Sequence, residues 1–213
     1  MQAASHPSTP FPTSPIMPTS LGDRLTDLVF APAGLFQGLA STAVRPEHWL
    51  APLFLSSLIQ VLAAAVSSDS SSKNAWLDSA AILLVCQFLG TLWAAFIFWA
   101  IGTFFLKASF RYHKALELVG LVQIILCLST LAALVLVIVT GDPNAKPALS
   151  LFVRSAAPGP GTLAFLNAFN PFHLWMASVL SLALSKLAAV TFPEAAFWIF
   201  GYWIGGPLML ALL

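Results

Sequence analysis

The sequence predicts an all-α integral membrane protein, a helical bundle with five transmembrane helices and an N-terminal interfacial amphipathic helix. Two long stretches contain no Asp, Glu, Lys or Arg: 28 residues in 79–106 and 19 residues in 195–213. A hydrocarbon core about 30 Å thick needs about 20 apolar residues of helix to cross it. Apolar residues make up 59% of the chain and charged residues only 8%, whereas a typical soluble domain is about 25% charged. A bilayer is therefore the expected environment.

The chain divides into three parts by composition. Residues 1–20 alternate Pro with Ser and Thr. Such a segment buries too little apolar area to offset its chain entropy, so we expect a disordered tail. Residues 21–44 form an amphipathic segment, and residues 45–213 contain the spans. The predicted spans cover about 49–66, 79–106, 118–140, 171–190 and 195–213.

Six apolar residues of the amphipathic segment recur at spacings of three, four and seven, which places them on one stripe of a helix. They are Leu25, Leu28, Val29, Leu35, Phe36 and Leu39. Pro32 interrupts the pattern, and Asp23, Arg24 and Asp27 lie within it. We therefore expect a kinked interfacial helix whose apolar stripe enters one leaflet of the membrane. A cytoplasmic helix packed on the bundle is an equally good interpretation of the same pattern.

Basic residues predict the orientation. If the N-terminus is cytoplasmic, that side has six of the nine Lys and Arg residues and the other side has three. Cytoplasmic loops are enriched in Lys and Arg, so we expect the N-terminus inside and the C-terminus on the opposite side. The six are Arg24, Arg45, Lys107, Arg111, Lys114 and Lys186, of which Lys107, Arg111 and Lys114 form a cytoplasmic basic loop between the second and third spans.

Two pairs of residues within the spans predict helix–helix contacts. Gln87 and Gln123 place amides at membrane depth, where each must find a hydrogen-bonding partner in the bundle, and we expect them to bond across the second and third helices. A substrate pathway would use the same kind of residue. Gly201 and Gly205 form a GxxxG pair in the fifth span, a spacing that lets two helices approach closely, inside the bundle or in a homodimer.

The sequence contains little that predicts chemistry. His113 and Glu117 stand one helical turn apart, as two metal ligands could, but Arg111 and Lys114 beside them favour solvated interfacial charges. His173, next to a Trp, is interpreted as an interfacial residue. The H-E-x-x-H, G-x-S-x-G and Walker patterns do not occur. We expect no enzyme activity, no catalytic residue, no cofactor, no metal and no nucleic acid partner.

Three stretches of the sequence resemble the YIP1 family of five-span membrane domains. They are FAPAGLFQGLASTAVRPEHWLAPLFLSSLI at 30–59, GTFFLKASFRYHKALELVGLVQI at 102–124 and NAFNPFHLWMASVLSLALSKLAAV at 167–190. The resemblance implies a five-span bundle with a cytoplasmic N-terminus. Eukaryotic members are associated with Rab-type GTPases and with transport between the endoplasmic reticulum and the Golgi. Their Asp-Leu-Tyr-Gly-Pro signature does not occur here, so the chain resembles a bacterial-type member. The expected location is then the inner membrane, or the endoplasmic reticulum or Golgi if the protein is eukaryotic.

Two functions are compatible with these observations. The first is a non-enzymatic scaffold of trafficking type, which organises the membrane or binds partners. The second is a small oligomeric transporter or channel subunit, with Gln87, Gln123 and the fifth span beside a path. The expected partners are the lipid bilayer and other membrane proteins or a second copy, with a small GTPase only if the eukaryotic role applies.

Overall fold

The computed structural model describes residues 20–67, 73–142, 145–153 and 159–212, and these parts of the chain are helical with short connections. The predicted N-terminal tail lies outside them, except for Ser20. A π-helical turn, Ile101–Phe105, continues α4. The α-helices are α1 (Leu21–Phe30), α2 (Pro32–Ser41), α3 (Glu47–Ser67), α4 (Lys73–Ala100), α5 (Tyr112–Thr140), α6 (Ser150–Val153), α7 (Pro160–Ala168), α8 (Pro171–Ala188) and α9 (Phe192–Leu212).

Three of these helices are long and apolar enough to cross a membrane. They are Glu47–Ala65 of α3, Ala80–Phe105 of α4 with its π-helical turn, and Tyr112–Thr140, which is α5. They lie at the positions of the first three predicted spans. The pair α7 and α8, bent by 60° at the break between them, counts as a fourth if both belong to one span. Helices α8 and α9 lie at the fourth and fifth predicted spans.

Helix α5 lies at the centre of the bundle, where it packs against α3, α4 and α8. Its N-terminal half is buried, with Leu118, Leu121 and Ile125 in the main apolar core. Its C-terminal end is not, since Ile138 and Val139 are 68% and 77% exposed. Large exposed apolar side chains suit a hydrocarbon environment better than water.

Local signals set several helix ends. Gly141 ends α5 in the left-handed conformation, with φ of 66°, as the Gly-Asp-Pro sequence there predicts. Asn170 caps α8, its side chain accepting a hydrogen bond from the Phe172 N–H at 2.9 Å. Asp78, just before the second predicted span, lies inside α4, because that helix already begins at Lys73. Ser20 caps α1 through a reciprocal pair of hydrogen bonds with Asp23 and so belongs to the helix rather than to the tail.

The amphipathic segment forms two helices, α1 and α2, that meet at Ala31. Four of its six predicted stripe residues, Leu28, Leu35, Phe36 and Leu39, are buried in the apolar core of the protein. Leu25 packs against that core, and Val29 is 38% exposed. The expectation that this stripe enters a leaflet is therefore wrong for the four buried side chains. Their apolar surface is covered by the bundle, above all by α8, which packs on α2.

A glycine allows the close approach of α3 and α5. A Cβ atom at Gly120 would lie 2.7 Å from the Cα of Trp49, closer than real side chains come to a backbone atom. Trp49 thus packs directly on the α5 backbone. This contact sets the spacing of the two helices that hold the site described next.

Candidate functional site

A buried group of charged side chains lies where α1, α3 and α5 meet. At its centre is Glu117 of α5, whose side chain is 0% exposed. Glu117 Oε1 lies 2.7 Å from Nδ1 of His48 in α3, and Oε2 accepts a hydrogen bond from Lys114 Nζ, also at 2.7 Å. Nη1 of Arg24, in α1, lies 3.9 Å from Oε1. We call these four side chains the Glu117 cluster.

The Glu117 cluster links the N-terminal segment to the bundle. Arg24 brings a charge from α1, and Lys114 Nζ donates a hydrogen bond to the backbone carbonyl of Thr42, just after α2, at 3.1 Å. His48 can donate to the carboxylate from Nδ1–H, and Lys114 and Arg24 bring positive charge to the same carboxylate. Burial lowers the pKa of Arg24, and the charge of Glu117 opposes that shift. Removing one partner of such a buried ion pair leaves the other charge uncompensated, which costs about 3–5 kcal/mol.

The Glu117 cluster corrects the interpretation of the charges in this region. Glu117 and Lys114 are buried rather than solvated, and His113 is exposed with its ring against Tyr112. Of the predicted basic loop, Lys107 and Arg111 are exposed as expected. His48 and Arg24 were missed as partners of Glu117. The only local feature of the sequence that could have indicated this cluster was the three-residue spacing of Lys114 and Glu117. Nowhere in the described ranges do three His, Cys, Asp or Glu side chains come together as metal ligands.

The predicted amide pair forms a hydrogen bond between α4 and α5. Gln87 Nε2 lies 3.2 Å from its acceptor, Gln123 Oε1. Gln87 also donates to Ser56 Oγ of α3 at 3.1 Å, and Gln123 Nε2 donates to Thr91 Oγ1 at 2.9 Å. Ser56 and Thr91 were not singled out from the sequence. The four side chains thus form one hydrogen-bonded network across α3, α4 and α5.

A cavity of about 270 Å³ lies beside this polar network, between α4, α5, α8 and α9. Gln87, Thr91 and Gln123 line one part of it, and His173 of α8 and Trp203 of α9 line another. These two rings meet edge to face with centroids 5.1 Å apart. His173 Nδ1 and Trp203 Nε1 are both buried and have no hydrogen-bond partner among the described residues. His173, predicted to lie at the interface, thus buries a ring nitrogen beside the cavity.

The GxxxG pair of α9 makes no contact of the predicted kind within the described parts of the bundle. A Cβ added at Gly201 or Gly205 would meet nothing within 4 Å. The exposed apolar residues Phe197 and Met209 lie one turn before and after the pair, at 71% and 68% exposure. We call Phe197, Gly201, Gly205 and Met209 the α9 face. Among the described residues nothing covers the two glycines, so the expected contact inside the bundle does not form there.

No family model, curated protein or solved structure matches the chain. The fold and the site define an all-helical protein, over its described residues, with three helices that could span a membrane. A buried charge cluster and a cavity lined by polar and aromatic side chains distinguish its bundle. The likeness to the YIP1 family stays a prediction from sequence.

Proposed function

We propose that this protein is a non-enzymatic, multi-span membrane scaffold that binds a further membrane helix on its α9 face. The observation that carries the proposal is the open space above both Gly201 and Gly205 in an exposed apolar strip. In a bilayer, small residues at this spacing let two helix backbones approach closely, which is a main source of helix association there. The partner helix belongs to another membrane protein or to a second copy of this chain.

The proposal includes five spans, a cytoplasmic N-terminus and a bacterial inner membrane. Contacts of Arg24 with Glu117 and of Lys114 with Thr42 support a common side for the N-terminal segment and the connection between α4 and α5. The connection contains Lys107 and Arg111, and Arg24 and Arg45 lie in and just after the N-terminal segment, as expected if both are cytoplasmic. The resemblance to the YIP1 family supports a partner-binding role without catalysis. The buried stripe of α1 and α2 argues against membrane bending by that segment.

Crosslinking in native membranes tests the scaffold proposal. Gly201→Leu and Gly205→Leu each fill the space above the α9 face, so we expect partner recovery, or a crosslinked dimer, to fall severalfold for both variants. Gly90→Leu in α4 is the matched control, because Gly90 is also a helical glycine with open space around it but lies off the α9 face. Equal recovery by all three variants and the wild type would refute the proposal.

A second candidate function is a small oligomeric transporter or channel subunit. The observation that favours it is the cavity, which Gln87, Gln123 and α9 line together. Because only a few spans of one chain surround the cavity, several subunits are needed to enclose a continuous path for ions or solutes across the membrane. Purified protein in liposomes should then be oligomeric and should leak ions or small solutes. A monomer without leak would exclude this function and leave the scaffold proposal untouched.

A further inference from the structure

The cavity between α4, α5, α8 and α9 has two chemically different parts. On one side, Gln87, Thr91 and Gln123 are already hydrogen-bonded, Gln87 to Gln123 at 3.2 Å and Gln123 to Thr91 at 2.9 Å. The hydrogen bonds of these three side chains are thus made within the protein. On the other side, His173 Nδ1 and Trp203 Nε1 are buried without a partner among the described residues. The structure thus leaves two buried nitrogens unpaired in this part of the wall.

The chemistry of these two nitrogens limits which group could form hydrogen bonds with them. The indole Nε1–H of Trp203 only donates, so it needs an acceptor, while the neutral imidazole nitrogen of His173 donates or accepts according to its tautomer. A buried donor without a partner costs the desolvation free energy of that group. His173 and Trp203 both line the cavity and their rings lie 5.1 Å apart, so the two nitrogens belong to the same part of its wall. A single oxygen atom there would accept from Trp203 and face His173.

The rest of the lining restricts the charge and character of the molecule. Most of the wall is apolar, with Phe98, Val122 and Met176 among its residues. Among the described residues that line it, none is Asp, Glu, Lys or Arg. A charged ligand would therefore be desolvated without a counter-ion, which is strongly unfavourable.

We infer that the cavity binds a neutral, mostly apolar small molecule through one carbonyl or hydroxyl oxygen, which accepts a hydrogen bond from Trp203 Nε1. This site goes beyond the scaffold proposal and depends on neither partner binding nor transport. A volume of about 270 Å³ matches a small ligand. A lipid acyl chain, which has no oxygen at its end, would fill the space but leave Trp203 unpaired.

Photolabelling of the full-length protein in phosphatidylcholine nanodiscs tests this site. The probe is a medium-chain methyl ketone with a diazirine on its chain, and the matched probe is the same diazirine alkane without the carbonyl. We expect the ketone to label peptides of α8 and α9 more strongly than the alkane. Trp203→Phe keeps most of the ring but removes the donor, so ketone labelling should fall roughly fivefold, while alkane labelling stays unchanged.

Two further variants keep the test decisive. Trp198→Phe makes the same change earlier in α9, outside the lining of the cavity, and should leave ketone labelling unchanged. Gly90→Leu adds a side chain at a lining residue that has open space around it, and should reduce labelling by both probes. If Trp203→Phe is not recovered as folded protein, unchanged ketone labelling of Gly90→Leu overturns the inference. Equal labelling of the wild type by ketone and alkane also overturns it.

Discussion

His48 Nδ1 lies 2.7 Å from Glu117 Oε1, although the two residues are 69 positions apart in the chain. This contact joins the first turn of α3 to the buried part of α5, on the same two helices that meet at Gly120 and Trp49. The imidazole, Lys114 and Arg24 together surround a carboxylate that has no access to solvent. Glu117 therefore contributes to the attachment of the N-terminal segment, beside the buried apolar side chains of α1 and α2.

Glu117→Gln should destabilise the protein strongly. The substitution keeps the shape of the side chain but leaves the buried cations Lys114 and Arg24 without a counter-charge, which costs about 3–5 kcal/mol. Denaturant unfolding in detergent, followed by circular dichroism, measures the change. Glu194→Gln is the control, because Glu194 is exposed and lies in α9, outside the cluster, and the loss of its charge should change stability by less than about 1 kcal/mol. Similar stability of both variants would show that Glu117 does not hold the cluster together.

Gly120→Ala should separate α3 from α5. The new Cβ would meet the Cα of Trp49 at 2.7 Å, and a backbone atom cannot move aside as a flexible side chain can. Overpacking of this kind costs about 1–3 kcal/mol. Gly90→Ala is the control, since a Cβ atom added at Gly90 meets nothing within 4 Å. This substitution should be neutral or stabilise α4 by up to about 1 kcal/mol. The same unfolding assay compares them, and a neutral Gly120→Ala would contradict the close packing described here.

Gln87 and Gln123 should be energetically coupled. In a double-mutant cycle with Gln87→Leu and Gln123→Leu, we expect a coupling free energy of about 0.6 kcal/mol and at most about 1.7 kcal/mol, the average and the maximum measured for hydrogen bonds between membrane helices. Ser178→Ala is the control partner for Gln123→Leu, because the Ser178 hydroxyl donates to the Leu174 carbonyl within α8 at 2.8 Å. That control pair should be additive within about 0.5 kcal/mol. Additivity of the two glutamines would mean that their hydrogen bond contributes no stability.

The sequence predicted the positions of the helices better than their contacts. Apolar length and local signals such as Gly141 and Asn170 are properties of neighbouring residues, so the helix ends they mark could be found without the fold. The pairing of His48 with Glu117 could not be found in this way, because it depends on which helices become neighbours in the fold. The stripe of α1 and α2 was ambiguous for a physical reason, since a protein core and a lipid leaflet accept the same apolar side chains.

The predicted orientation can be tested by cysteine labelling from the two sides of the membrane. After replacement of Cys86 and Cys127 by Ala, single cysteines are placed at three exposed positions, Thr26, Lys107 and Lys146. The contacts between Arg24 and Glu117 and between Lys114 and Thr42 hold α1 near the connection between α4 and α5. Thr26→Cys and Lys107→Cys should therefore react from one side, expected to be cytoplasmic.

Lys146→Cys should react from the other side, because it follows α5, whose 29 residues are enough to cross the hydrocarbon core. An impermeant maleimide applied to intact cells and to inverted vesicles distinguishes the two faces. Labelling of all three cysteines from one side would contradict a transmembrane α5. Labelling of Thr26→Cys and Lys107→Cys from opposite sides would contradict the attachment of α1 to the Glu117 cluster.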